Sequence, residues 1–171
     1  MKVKMKQKKD NLDSVDLLTS ILVKYPEVGT IKIDPIRNVL ILVFIVSGIT
    51  SSEISENLKK QLVSCLETFH FLKNIQSKIL DIRYNCYEDL TLLEISRDID
   101  TLDSIEIGLT INFLKEFFKD HLISEQNGFF EDGNLSIQDE DIGKILENVR
   151  FMPKNKIIAF REKGRVMVFN S

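Results

Sequence analysis

The chain has 171 residues, 43% of them hydrophobic and 29% charged, with a formal net charge of −3. That balance suits one ordinary globular domain with a core of normal size, and it excludes a disordered chain. The longest apolar run, Val39 to Val46, is far short of the roughly 20 residues a spanning helix needs. Acidic and amide residues from Asp10 onward interrupt the apolar stretch a signal peptide would require, so a soluble, cytoplasmic protein is expected. Cys65 and Cys86 are the only cysteines, too few for a disulfide framework, and Cys65 is expected to be a buried free thiol.

Charge is unevenly spread. Lys2, Lys4, Lys6, Lys8 and Lys9 crowd the start with no acid among them, and residues 150–171 carry six basic side chains against Glu162 alone. Basic ends therefore flank an acidic body. Flexible lysines keeping a terminus soluble account for this simply. A phosphate-binding patch made where the two ends meet is the sharper reading.

Residues 1–10 read as a disordered basic arm. A first helix is expected from Asp13 to Lys24, with Val15, Leu18 and Leu22 on one face. Tyr25-Pro26 ends it, because the residue before proline avoids the α region. A hairpin follows, Thr30–Ile33 and Val39–Val46, joined by Asp34-Pro35-Ile36-Arg37-Asn38, a run of turn-forming chemistry. Its second strand is apolar on both sides, which marks a strand covered on both faces or by a partner.

A second helix opens at a capping box, Thr50 to Glu53. Its expected core stripe is Ile54, Leu58, Leu62, Cys65, Phe69 and Leu72. Another hairpin is read at Ile79–Tyr87 and Leu90–Ser96, where Leu80, Ile82 and Tyr84 alternate with polar residues. A third helix starts at Asp103, with Glu106 completing a capping box, and runs to about Leu122. It carries two apolar ridges. One is Ile105, Leu109, Phe113 and Phe117; the other is Ile107, Ile111, Leu114, Phe118 and Leu122. Such a broad surface must be covered twice.

Gly128 to Asn134 reads as a loop holding Phe129 and Phe130, and Ser136 as the cap of a short helix ending near Val149. The chain closes on a hairpin, Lys156–Arg161 and Arg165–Phe169, around Lys163-Gly164. Its register sets Glu162 opposite Arg165 and Phe160 opposite Met167.

The fold expected is α+β: a mixed, mainly antiparallel sheet of four to six strands with helices packed on one face, built from helix-plus-hairpin units. Residues 11–124 form the core domain, and residues 125–171 a C-terminal helix and hairpin packed on it.

No strong catalytic signature is present. The seven glycines contain no pair three residues apart and no glycine–lysine–hydroxyl run, so dinucleotide, phosphate-loop and RNA-clamp motifs are missing. His70 and His121 are the only histidines, and neither is spaced with a cysteine as a zinc ligand. Each reads as a structural or surface residue rather than a catalytic one. The acidic run Asp98, Asp100, Asp103 and Glu106 suits helix capping better than a cation site. Asp132 to Ser136 begins like a calcium loop, but Ile137 and Gly143 stand where glycine and glutamate belong. A site built from Arg97, Asp98 and Tyr87 is the one enzymatic arrangement to test. No metal, cofactor or membrane is expected.

Two functions are weighed. The first is a non-enzymatic protein-association module, a homo-oligomer or assembly factor, using Ile107, Ile111, Leu114, Phe118, Phe129 and Phe130. It rests on apolar surface in excess of what one layer of helices hides. The second is an RNA- or ribosome-associated factor, contacting nucleic acid through Lys4, Lys6, Lys8 and Lys9 and through Lys156, Arg161, Lys163 and Arg165.

Overall fold

The computed structural model describes residues 2–48, 51–125, 137–152 and 154–170, with side chains from Leu12 onward. Four helices and six strands follow in the order α1 (Lys2–Lys24), β1 (Thr30–Asp34), β2 (Val39–Ser47), α2 (Ser52–Lys73), β3 (Leu80–Tyr87), β4 (Leu90–Asp98), α3 (Ser104–Phe118), α4 (Asp139–Val149), β5 (Ile157–Glu162) and β6 (Arg165–Asn170). A 3-10 turn, Lys119–His121, follows α3. The fold is α+β. The strands form one sheet in the order β3-β4-β2-β1-β5-β6, and every pairing in it is antiparallel.

The three hairpins sit where turn chemistry puts them. The Asp34 carboxylate accepts from the Ile36 and Arg37 amides, and Asn38 takes a left-handed φ of 55°, which its short polar side chain tolerates. Lys163 and Gly164 have φ of 49° and 73°, the pair of positive values a two-residue turn demands. The last hairpin does not sit at an edge by itself: β5 slots beside β1, with Ile31 opposite Ala159. That choice places β1 inside the sheet and β6 at its rim.

α1 starts well before the expected Asp13. Residues 2–24 contain no glycine or proline and many lysines and leucines, all good helix formers, so the helix continues through the lysine-rich stretch read as an arm. α2 begins at a Ser51 cap, whose hydroxyl accepts from the Ile54 amide; Thr50 lies outside the described residues. Its buried face is Ser55, Leu58, Leu62, Leu66 and His70, a ridge that runs in four-residue steps from Leu58 onward. The expected stripe is corrected accordingly: Ile54 and Leu72 are exposed, and Cys65 is only half-buried. α3 ends at Phe118, where Lys119 takes a φ of 50°. α4 begins at Asp139, with the Asp141 carboxylate accepting from the Gln138 amide; Ser136 lies outside the described residues.

One core unites the layers. Leu40, Leu42, Phe44 and Val46 of β2 meet Ile31, Ile33, Leu93, Ile95, Ile157 and Ala159 of neighbouring strands beneath the helices. Every sheet residue in this core has the same pleat direction, so all four helices lie on one face. α4 supplies Ile142, Leu146 and Val149, and packs against both α1 and α3.

Candidate association surface

That packing settles where the second ridge of α3 goes. Ile107, Ile111, Leu114 and Phe118 are all buried among their own chain's side chains. The expectation that they form an interface is corrected: α4 returns over α3 and encloses them. Phe129 and Phe130 lie outside the described residues. Besides Phe71 and Leu72 on α2 and Phe151 after α4, which are exposed, apolar side chains gather on the opposite side of the sheet.

Strand registers define that face, which no helix among the described residues covers, as a grid, because alternate residues point away from the core. One cross-strand row reads Arg83, Glu94, Val43, Thr30, Phe160 and Met167 from β3 to β6. The next reads Asp81, Ser96, Ile41, Lys32, Ile158 and Phe169. On the other side of the first row lie Asn85, Leu92 and Ile45, then Tyr87, Leu90 and Ser47. Apolar residues run diagonally across this grid. The stripe starts at Phe169 and Ile158, passes Phe160, Val43 and Ile45, and ends at Leu92, Leu90 and Tyr87. Its two ends are open to solvent: Phe169 is 55% and Tyr87 58% exposed. Phe160 and Phe169 stack with centroids 5.6 Å apart, a rigid aromatic block on the rim hairpin.

The middle of the stripe is partly roofed. Lys32 reaches over β2 to Glu94, Nζ to Oε1 3.6 Å, and Val43 beneath is 5% exposed. The lysine stem covers apolar surface while its ammonium stays in water. Beside it a small cavity of about 160 Å³ is lined by Gly29, Thr30, Ile45, Ile123 and Phe160 among others. Charges on the face come in compensating pairs. Arg83 holds Asp81 at 2.7 Å, Lys32 holds Glu94, and Arg165 lies opposite Glu162.

The basic candidates divide. Arg161 is buried, and its guanidinium donates to the carbonyls of Leu22, Pro26 and Val28, at 3.1 Å for the latter two. It closes the C-terminal end of α1 and ties β5 to the loop before β1, so its expected nucleic-acid role is corrected to a structural one. Burial pushes the guanidinium down from its usual value, with Glu125 and Glu27 acting against the shift. Lys156, Lys163 and Arg165 are exposed. The side chains of Lys4, Lys6, Lys8 and Lys9 lie outside those described.

The enzymatic arrangement does not assemble. Tyr87 pairs with Leu90 at one end of the β3–β4 hairpin and Arg97 with Leu80 at the other, roughly 24 Å apart along the strand. Arg97 instead centres a buried polar cluster beneath α2 and α3. Its Nε lies 2.5 Å from Glu106 Oε1, and it also bonds Asp98. Glu106 meets His70 Nε2 at 3.0 Å. Burial alone would raise the Asp98 carboxyl. The Thr101 hydroxyl, the Ile79 amide, Arg97 and the Lys78 amide outweigh it and hold the carboxyl below its ordinary value. Asp103 caps α3 by accepting from the Ile105 amide, and Asp100 accepts from the Phe151 amide. Asp98 and Glu106 thus share Arg97 while Asp100 and Asp103 accept from separate backbone amides, and among the described residues no three such ligands are placed to hold a metal ion. Sequence reasoning missed this cluster because its members lie on three elements, with no local spacing to announce them.

No helix among the described residues is long and apolar enough to cross a membrane. Comparison with family models, curated proteins and solved structures finds no match for the chain.

Proposed function

We propose that this protein is a non-catalytic association module that docks a protein partner on the face of its sheet opposite the helices. The observation that carries this reading is the diagonal apolar stripe, with Phe169 and Tyr87 exposed at its ends. Exposed aromatic and apolar side chains gathered at the two ends of one surface band mark an interaction site. Tyr, Phe and Met are also the side chains enriched where protein interfaces bury their centres. The RNA reading keeps the exposed Lys156, Lys163 and Arg165 but loses Arg161. The compensated charges of the face suit a protein surface better than a polyanion, which needs uncompensated cations.

In-cell photo-crosslinking tests the proposal. A crosslinking residue in place of Phe169 should give a discrete protein adduct. One in place of Ile54, apolar and exposed on the outer side of α2, should give none. Equal yields from both positions, or none from Phe169, would refute docking on this face.

A further inference from the structure

We infer that the occupant of the stripe is a second copy of this chain, an inference that rests on the docking reading above. Three features of the face point to self-pairing.

The first is its direction. From Phe169 on β6 to Tyr87 on β3 the stripe crosses five strand spacings and climbs six residues of register, from the row of Ile41 to the row of Ser47. At about 4.8 Å per strand and 3.4 Å per residue, that is about 24 Å across and 20 Å along. The stripe therefore lies roughly 50° from the strands. A twofold axis laid along it superposes the stripe on its own copy. The strands of the two sheets then cross at about 100°, close to the near-perpendicular class of sheet packing.

The second is charge. That axis brings the corner holding Asp81, Arg83 and Glu94 over the corner holding Glu162 and Arg165. Each corner contains both signs, so cations of one copy can face anions of the other, and no like-charged block meets its equal. An isologous contact requires this self-complementarity.

The third is size. The grid measures about 500 Å² per copy, so pairing buries on the order of 1,000 Å², the lower edge of specific interfaces. The dimer should accordingly be weak, dissociating on dilution in the micromolar range. Lys32 and Glu94, paired across β2, are retained inside it, and the bare aromatic rim supplies the anchor.

Sedimentation velocity on the full chain across two orders of magnitude in concentration, run beside binding of an apolar fluorescent dye, tests the inference. The expected result is a mass rising from one chain to two. Phe169→Lys and Tyr87→Lys, at opposite ends of the stripe, should each weaken pairing at least tenfold with unchanged circular dichroism. A wild-type mass of one chain throughout overturns the second copy. Dye binding that both substitutions then abolish leaves the docking face standing for a different protein, whereas absence of dye binding removes the docking reading as well. A dimer that survives both substitutions overturns this placement.

Discussion

Arg161 offers the sharpest perturbation of the fold, because one side chain serves three carbonyls. Replacing it with methionine keeps an unbranched apolar stem of similar length and deletes every donor. The carbonyls of Leu22, Pro26 and Val28 then lose a charged partner in a site too enclosed for full hydration. Each lost bond contributes about 1 kcal/mol net. The release of a guanidinium that burial already disfavours offsets part of any larger penalty. A loss of about 3 kcal/mol follows, or roughly 6–12 °C in melting temperature for a domain of this size. Arg161→Lys preserves the charge but cannot fork to three acceptors, so it should recover less than half of the loss. Calorimetry at low protein concentration, where pairing does not add to stability, measures both. A melting temperature unchanged in Arg161→Met, or full rescue by lysine, would show that Arg161 acts only as a surface charge.

Three further outcomes follow from the same contacts. Glu106→Gln strips Arg97 and His70 of their shared carboxylate and should cost about 3–5 kcal/mol by urea denaturation, the range for breaking a buried ion pair; a loss under about 1 kcal/mol would place that pair in water. Asp98 has its carboxyl lowered in the folded state, so its stabilising effect is complete above the unfolded pKa and disappears as pH falls through the folded one. Urea midpoints should therefore drop below about pH 4, and Asp98→Asn should be weaker at pH 6 with a shallower acid slope; parallel acid slopes would contradict this. In anisotropy titrations at low salt, mixed RNA should bind no tighter than nonspecifically, and Lys156, Lys163 and Arg165 exchanged together for glutamine should change melting little. Tight binding lost in that triple variant would favour the nucleic-acid reading.

The hairpins and helices were legible because their signals are local. Proline and Asn38 mark one turn, Lys163-Gly164 another, and Asp103 stops the chain before α3. The apolar character of β2 also carried real information: even-numbered residues enter the core, while Ile41, Val43 and Ile45 face the other way. The coverage of α3 was not legible, since it depends on α4 folding back from beyond residue 137 to place Ile142 and Leu146. Nor was the pairing of β5 with β1, which joins strands far apart in the sequence. Arg161 looked like a surface cation because nothing nearby in the chain reveals that Leu22 and Pro26 will present carbonyls to it. The diagonal stripe needed the register of all six strands, each known only once the sheet order is known.

The central claim is that the sheet face opposite the helices meets protein, and methyl NMR on isoleucine-labelled chain tests it most directly. On raising the concentration, the methyl signals of Ile41, Ile45 and Ile158 should shift together along one binding curve, while those of Ile54 and Ile105, exposed on the helical side, stay fixed. Stationary signals from the three sheet residues, or movement confined to the helical pair, would contradict the account.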